Sequence, residues 1–225
     1  PSGTVALGIP QSASGALAFP LLTAVRAAYP EIVFQLTEEL TGNLTEQLAS
    51  GRLNLAILFD DGQLNKFSTT PLVEEEMMFI TKADSQFACK KKTISLAKAL
   101  QVPLILPSIQ HGVRPRIEQV VRQQGLKIEH VIDITSIAIL KSAILADMGA
   151  TILPVSPLLA EIERGEMRAC SISDVKLSRT VSLCASKNIP LTNAAMAVEK
   201  LVLELSSDLV TSGKWIGAQV LKSNH

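Results

Sequence analysis

The sequence predicts an α/β fold built from two lobes, and three observations support this class. Within roughly the first 60 residues, short β-rich apolar runs alternate with helical patterns in the order strand, helix, strand, helix, strand. The middle of the chain repeats this theme, and a further strand and helix return near the end. Such alternation predicts parallel strands joined by right-handed crossovers, and its repetition predicts two α/β units in tandem.

Apolar periodicity and turn residues define the elements of the first part of the chain. Pro10–Gly15 is predicted to be a small polar turn, and Pro30 stops the helix that follows it. Asn43 and Glu46 have the spacing of a capping box, and Gly51 ends the second helix. The predicted strands are Thr4–Ile9, Glu31–Glu38, Leu53–Phe59 and Leu72–Thr81, and the predicted helices follow Leu17–Ala28 and Leu44–Leu48.

The rest of the chain is assigned in the same way. The predicted strands are Leu104–Leu106, Val131–Ile134, Ala150–Leu153 and Arg179–Ala185, and the predicted helices are Val113–Gln124, Ser136–Asp147 and one that includes Ala195–Leu205. Crossings between the lobes are placed near Thr81–Asp84 and Leu183–Lys187. Lobe I therefore comprises residues 1–82 and 183–225, and lobe II comprises residues 83–182. A cleft between the lobes is expected to hold a small ligand, because ligands of open α/β sheets bind beyond the carboxyl ends of strands.

The composition narrows the functional class. Hydrophobic residues make up 47% and charged residues 19% of the chain, which is typical of a folded protein with a substantial core. The 21 basic residues are balanced by 21 acidic ones, and this argues against a free-standing nucleic-acid binder without excluding a local basic patch.

Cysteine usage and hydropathy indicate the compartment. Cys89, Cys170 and Cys184 have neither zinc-ligand nor CxxC spacing, and an odd number is not typical of a disulfide framework. No leader pattern opens the chain, whose first three residues resemble the end of a linker, and no apolar run reaches membrane-spanning length. We therefore expect a cytoplasmic location, no structural metal and no membrane partner.

Hydroxyl-bearing turns at strand ends are the candidate binding site. The segment Gln11–Ser14 lies between the first strand and the first helix, where backbone N–H groups and the helix dipole favour a carboxylate, sulfate or phosphate. The alternative is that Ser12 or Ser14 only caps the helix. Two further turns carry hydroxyls: Ser108 at the end of one strand, and Thr135 with Ser136 before another helix. Each alone is typical of an ordinary cap, but together with the first turn they favour a cleft.

The other polar groups are interpreted as solvated surface and not as catalytic or binding residues. His111, with Arg114 and Arg116 nearby, is interpreted as a solvated loop in preference to a catalytic or anion-binding group. The runs Glu74–Glu76 and Lys90–Lys92 are assigned to solvated surface. The sequence contains no Walker loop, GxGxxG, HExxH or GxSxG motif, so no catalytic residue, cofactor or enzymatic activity is expected.

Several ordered segments resemble the effector-binding domain of LysR-type transcription regulators. They are GTVALG at Gly3–Gly8, FPLL at Phe19–Leu22, YPEI at Tyr29–Ile32, LASGRLNLAI at Leu48–Ile57 and DMGATILP at Asp147–Pro154. Two positions depart from the family pattern. Asn54 replaces the usual aspartate, and Asp147 replaces the usual first glycine, which predicts a slightly relaxed turn there. Within the family, the segments beginning at Pro20 and Met148 look most like the nitrogen assimilation control subgroup.

The resemblance implies a type 2 periplasmic-binding-protein-like fold, with two Rossmann-like lobes and a ligand cleft. It also implies an N-terminal winged helix-turn-helix domain that is absent from this chain, so that DNA is contacted only through that missing domain. The turns that bind effectors in the family correspond here to Gln11, Ser12, Ser14, Ser108, Thr135 and Ser136. The expected effector is small and anionic, because helix N-termini favour negative charge.

The resemblance further implies side-by-side antiparallel homodimers, and tetramers in full-length proteins. The helix Leu17–Ala28 carries apolar or small residues on more than one face, which favours a partner helix, and Val113–Gln124 is its expected counterpart. Alanines that only promote helix formation are the alternative. Two rival functions share the fold: a solute-binding protein of a transport system, and an enzyme acting on a small substrate.

Overall fold

The computed structural model describes residues 1–109 and 112–221, so the predicted role of His111 lies outside the described residues. Two short 3₁₀ helices, Leu64–Lys66 and Ser156–Leu158, accompany the regular elements. In chain order these elements are β1 Gly3–Pro10, α1 Gln11–Ala28, β2 Ile32–Glu39, α2 Thr41–Ala49, β3 Leu55–Phe59, β4 Phe67–Lys82, β5 Thr93–Ile94, α3 Leu96–Ala99, β6 Leu104–Pro107, α4 Val113–Gln123, β7 Val131–Ile134, α5 Ile137–Leu145, β8 Thr151–Pro154, α6 Leu159–Glu163, β9 Met167–Ile172, β10 Ser178–Ser186, α7 Asn193–Thr211 and β11 Ala218–Val220.

The first compact unit, unit 1, contains Pro1–Glu75 and the chain from Thr180 onward. Its central strand β1 pairs in parallel with β2 and β3, and β10 pairs antiparallel with β3. The run Leu55–Phe59 is continuously apolar because both of its faces are covered. Ile57 and its alternate neighbours pack in the core that includes α1 and α7, while Ala56 and Leu58 pack with α2 on the other face.

The second compact unit, unit 2, contains Glu76–Arg179. Here β4 pairs antiparallel with both β8 and β9, and β9 pairs in parallel with β5. The parallel strands β6 and β7 form a separate pair, joined to the β8 side by a bridge between Leu104 and Ala150. Apolar faces of α4 and α5 cover these strands, with Ile117, Leu140 and Ile144 fully buried.

The division into units differs in position from the lobe boundaries predicted after residues 82 and 182. The units separate between Glu75 and Glu76 and between Arg179 and Thr180, a few residues earlier in each case. Both points fall inside continuous strands, β4 and β10, rather than in loops. Turn residues in a sequence indicate loops, so a boundary that lies inside a strand cannot be located from them.

Two local predictions were wrong at helix starts. The predicted turn Pro10–Gly15 is mostly helix, since α1 begins at Gln11 directly after Pro10, whose extended backbone ends the strand. The predicted capping box of α2 is absent, because this helix begins at Thr41 and its N-cap Leu40 has no side-chain cap. Asn43 instead donates its amide to a Glu39 carboxylate oxygen at 3.0 Å.

The two departures from the family pattern have clear structural roles. Asp147 has a φ of 57° in the turn that ends α5, so the left-handed geometry usually supplied by glycine is kept rather than relaxed. Asn54 makes a reciprocal pair of hydrogen bonds with Ala6, accepting from its N–H through Oδ1 at 2.8 Å and donating its own N–H at 2.9 Å. The amide oxygen of Asn54 thus provides the acceptor that an aspartate would offer.

Candidate functional site

In unit 1, the candidate residues lie where the central strand becomes a helix. Gln11, Ser12 and Ser14 occupy the first turn of α1, at the carboxyl end of β1. The interpretation of Ser12 or Ser14 as the helix cap is wrong, because the N-cap residue is Pro10, which makes no side-chain capping hydrogen bond. Ser14 donates its hydroxyl to the Gln11 carbonyl at 3.2 Å, and Ser12 is buried. The positive end of an 18-residue helix dipole therefore lies at this strand end.

In unit 2, the candidate residues meet at one edge of the β6–β7 pair. Because the two strands are parallel, Ser108 follows β6 at the same edge where Thr135 and Ser136 follow β7. The Ser108 N–H donates to the Ile134 carbonyl at 3.0 Å and extends the ladder by one bond. The structure thus brings Ser108, Thr135 and Ser136 together, as parallel pairing predicts.

Two of the hydroxyls at this edge, those of Ser136 and Ser108, have different roles in the fold. The Ser136 hydroxyl caps α5 by accepting from the Ile139 N–H at 3.3 Å. The Ser108 hydroxyl oxygen is buried and has no hydrogen-bond partner among the described residues. Buried polar atoms normally have a partner, so an unpaired hydroxyl at a strand end indicates a position that a ligand atom or water can satisfy.

Arg114 lies beside this edge but is not a solvated loop residue. It occupies the first turn of α4 and is only 7% exposed. Its guanidinium donates to Glu118 at 2.8 Å, to Asp133 and to the Pro107 carbonyl at 3.4 Å. Two carboxylates therefore neutralise Arg114, and it ties α4 to the ends of β6 and β7 instead of offering a free cation. Arg116 is also engaged, donating to the Ser178 carbonyl at 3.1 Å.

Buried polar contacts elsewhere were missed by sequence reasoning. Glu75, predicted to be solvated, is 2% exposed and accepts a hydrogen bond from the Trp215 indole at 2.8 Å. The prediction of solvated surface holds for Lys90–Lys92, which are exposed. Among the described residues, no group of three or more His, Cys, Asp or Glu side chains is arranged to hold a metal ion. No helix in the described part of the chain is long and apolar enough to cross a membrane.

Comparison with known proteins identifies the class. The two α/β units, with polar side chains at strand ends, define a binding domain with a type 2 periplasmic-binding-protein-like fold. The family model for the LysR substrate binding domain matches residues 1–206. The chain belongs to this family and is the effector-binding domain of a LysR-type transcription regulator, which confirms the predicted fold and family. The alternative of a transport solute-binding protein is not favoured.

Individual relatives agree with this assignment. The chain is 30% identical over 218 residues to the nitrogen assimilation regulatory protein nac of Escherichia coli K12, covering 95% of this chain and 70% of that protein. The effector-binding domain of QuiR, solved with shikimate, matches with a TM-score of 0.81 at 18% identity, over 92% of this chain and 99% of that one. The regulatory domain of CcmR from Synechocystis PCC6803, solved with 2-PG, gives a TM-score of 0.80 at 17% identity, over 92% and 99% of the two chains. The likeness to QuiR and CcmR, at 18% and 17% identity, shows a shared fold.

Proposed function

We propose that this domain binds a small anionic metabolite, and that this binding controls a DNA-binding domain of the same regulator. The observation that carries the proposal is the buried Ser108 hydroxyl at the carboxyl edge of β6 and β7, for which the described part of the chain supplies no hydrogen-bond partner. Thr135 and Ser136 lie at the same edge, and Gln11, Ser12 and Ser14 supply the equivalent strand end of unit 1. These six residues are the proposed effector contacts.

An anion suits these positions for an electrostatic reason. Both α1 and α5 begin at the proposed contacts, and the partial positive charge of a helix N-terminus stabilises a carboxylate or phosphate. Arg114, which lies beside the β6–β7 edge, is already paired with Glu118 and Asp133. Recognition would therefore rest on hydroxyls and peptide N–H groups, which fits a small hydroxylated or phosphorylated acid. Shikimate, bound to QuiR, is such a molecule.

The remaining parts of the proposal concern the whole regulator. We propose an N-terminal winged helix-turn-helix as the DNA-contacting part, a cytoplasmic location and no catalytic activity. Support comes from the relatives, which are transcription regulators, and from the chain spanning 70% of the length of the Escherichia coli protein. The proposed contact residues at the strand ends carry hydroxyl and amide groups. None of the contacts described above places a general base next to a nucleophile, which catalysis by a hydroxyl would need.

Calorimetric titration tests the effector site. Shikimate, 2-phosphoglycolate, inorganic phosphate and inorganic sulfate are titrated into the chain, together with methyl shikimate as the neutral counterpart of shikimate. We expect saturable binding of an anion, and a Ser108→Ala variant that binds it about tenfold more weakly, because a hydrogen bond to a charged group is lost. Ser136→Ala should weaken binding and also destabilise the domain by about 1 kcal/mol, because it removes the α5 cap.

Ser142→Ala is the matched control for this experiment. Ser142 lies on the same helix α5, is exposed and donates only to the Ala138 carbonyl within its own helix. Its substitution should leave the Kd unchanged. A preference for the neutral ester, or a Ser108→Ala variant with unchanged Kd for the bound anion, would contradict the proposed site.

We further propose that the domain pairs through the outer face of α1 and the edge strand β2. Apolar side chains are exposed there, with Phe19 77% and Val33 59% accessible, and Leu22 borders a shallow groove with Tyr29. The apolar residues of α4 are buried within unit 2, so α4, the expected counterpart, would contribute polar contacts. A stable pairing needs about 1,000 Å² or more of buried surface, which two copies of a helix, a strand and a partner helix can supply.

Substitution at the end of α1 tests this pairing by sedimentation velocity. Ala28 is exposed in the unit, so Ala28→Glu should leave the fold intact and convert a dimer to a monomer by placing charges in an apolar contact. Ala24→Glu should do the same but is half-buried, so it also disturbs packing. Ala160→Glu, at an exposed position of α6, is the control and should remain dimeric. A natural chain that sediments as a monomer at high micromolar concentration would refute the pairing.

A further inference from the structure

Two cysteine thiols meet in unit 2, although 81 positions separate them in the sequence. Cys89 lies in the segment between β4 and β5, and Cys170 lies in β9. The Lys91 carbonyl oxygen is 3.3 Å from the Cys89 sulfur and 3.5 Å from the Cys170 sulfur, so both thiols converge on one acceptor. The Cys170 sulfur also lies 4.0 Å from the Cys89 carbonyl oxygen. Side chains in such contact are within reach of a disulfide bond.

The two sulfurs differ in accessibility, which assigns them different roles. Cys89 is half-buried and is followed by the exposed Lys90, Lys91 and Lys92. Cys170 is only 2% exposed, and burial together with its contact to Cys89 raises the pKa of its thiol to about 12. A buried, protonated thiol reacts slowly with reagents from solvent, whereas a partly exposed one can be reached. Cys89 is therefore the sulfur that meets an oxidant first, and Cys170 is placed to react second.

We propose that Cys89 and Cys170 form a reversible intramolecular disulfide when the chain is exposed to hydrogen peroxide. The Cys89 sulfur attacks one peroxide oxygen, the O–O bond breaks, and the other oxygen leaves as water with the thiol proton, giving a sulfenic acid. The Cys170 sulfur then attacks that sulfur, the S–S bond forms, and the S–O bond breaks with release of a second water. Two thiols thus lose two electrons and two protons, and one peroxide is reduced to two waters.

The disulfide would fasten the segment before β5 to β9. It would close a loop across 81 positions of sequence, and a cross-link of that span restricts the unfolded chain. β9 also pairs with β4, where Cys170 lies opposite Phe79 in the register. Oxidation is therefore expected to raise the melting temperature of the chain, and reduction with dithiothreitol should return it to the starting value.

Thiol counting and peptide mapping on the natural chain test the proposal without any substitution. The chain has three cysteines, so after peroxide treatment the free thiols measured in denaturant should fall from three to one per chain. Non-reducing peptide mapping should place the cross-link between the Cys89 and Cys170 peptides of one molecule. Three thiols remaining, a cross-link only between molecules, or overoxidation of Cys89 with Cys170 still free would each overturn the proposal.

Cys184 provides a control within the same chain. It is fully buried in unit 1, it shares a hydrogen bond with Thr69, and burial raises the pKa of its thiol to about 11. It should stay a free thiol throughout. In a Cys184→Ser variant both remaining thiols should disappear on oxidation, whereas in a Cys89→Ser variant both remaining thiols should persist. Disulfide formation that required Cys184 would contradict the assignment to Cys89 and Cys170.

Discussion

Replacing Gly149 by alanine is expected to lower the free energy of unfolding by about 3 kcal/mol or more, because the added methyl group has no space. A Cβ at Gly149 would lie 2.2 Å from the Pro103 carbonyl oxygen, which is backbone and cannot rotate away as a flexible side chain can. The same oxygen accepts the Ala150 N–H at 2.9 Å, and this bond helps to join β8 to the β6 side of unit 2. The added carbon must therefore separate two backbones that are hydrogen-bonded to each other.

Urea denaturation followed by circular dichroism measures this effect, with Gly42→Ala as the matched control. Gly42 lies in α2, and a Cβ there would meet no atom within 4 Å. Alanine should stabilise that helix by roughly 0.5–1 kcal/mol, because it lowers the entropy of the unfolded chain and favours helix. A Gly149→Ala variant as stable as the natural chain would show that the Pro103 carbonyl can move away from β8, contrary to this packing.

Replacing Trp215 by alanine is expected to cost about 3–5 kcal/mol of unfolding free energy. This residue is the only tryptophan of the chain, is 2% exposed and packs in the core of unit 1. Its indole N–H also donates to the buried Glu75 carboxylate at 2.8 Å. Alanine therefore removes a large apolar surface and one partner of a buried carboxylate together.

Trp215→Phe separates these two contributions. Phenylalanine keeps much of the packing but cannot donate to Glu75, so it should cost about 1–3 kcal/mol, the range for a buried group that loses a partner. Lys214→Ala is the control, since Lys214 is the exposed neighbour of Trp215 and its substitution should change stability by less than about 0.5 kcal/mol. Urea denaturation followed by circular dichroism applies to all three variants. Equal losses for the alanine and phenylalanine variants would mean that the hydrogen bond, and not packing, dominates.

Sequence patterns predicted the elements whose signals are local. Val131–Ile134 was predicted with its observed bounds because β-branched residues stand between turn segments, and α7 was found from its apolar periodicity. By contrast, β9 was missed: Met167–Ile172 is short, and Arg168 interrupts its apolar pattern. The strand exists because β4 and β5 supply partners on its two edges, and such pairing cannot be derived from six residues.

The candidate site shows the same division between local and distant signals. Parallel strands bring their carboxyl ends to one edge, so the convergence of Ser108 with Ser136 follows from local assignments alone. The burial of Glu75 does not, because its partner Trp215 lies 140 positions away in the sequence. The contact of Cys89 with Cys170 is equally hidden, since neither cysteine belongs to a motif whose spacing indicates a partner.

Unit 1 is built from two separate segments of the chain, and this has a consequence for synthesis on the ribosome. Its first 75 residues include β1, α1 and β3, but the core that these elements share is completed by Val198, Val202 and Trp215. Unit 2, in contrast, is one uninterrupted segment. The nascent chain thus emerges with β1 and β3 unable to finish their packing until all of unit 2 has been translated, while unit 2 can already bury its own core. Domains that fold in the order of translation shorten the time for which apolar strands are exposed. This chain lengthens that time for β1, the strand that leads into Gln11 and Ser12 at the start of α1.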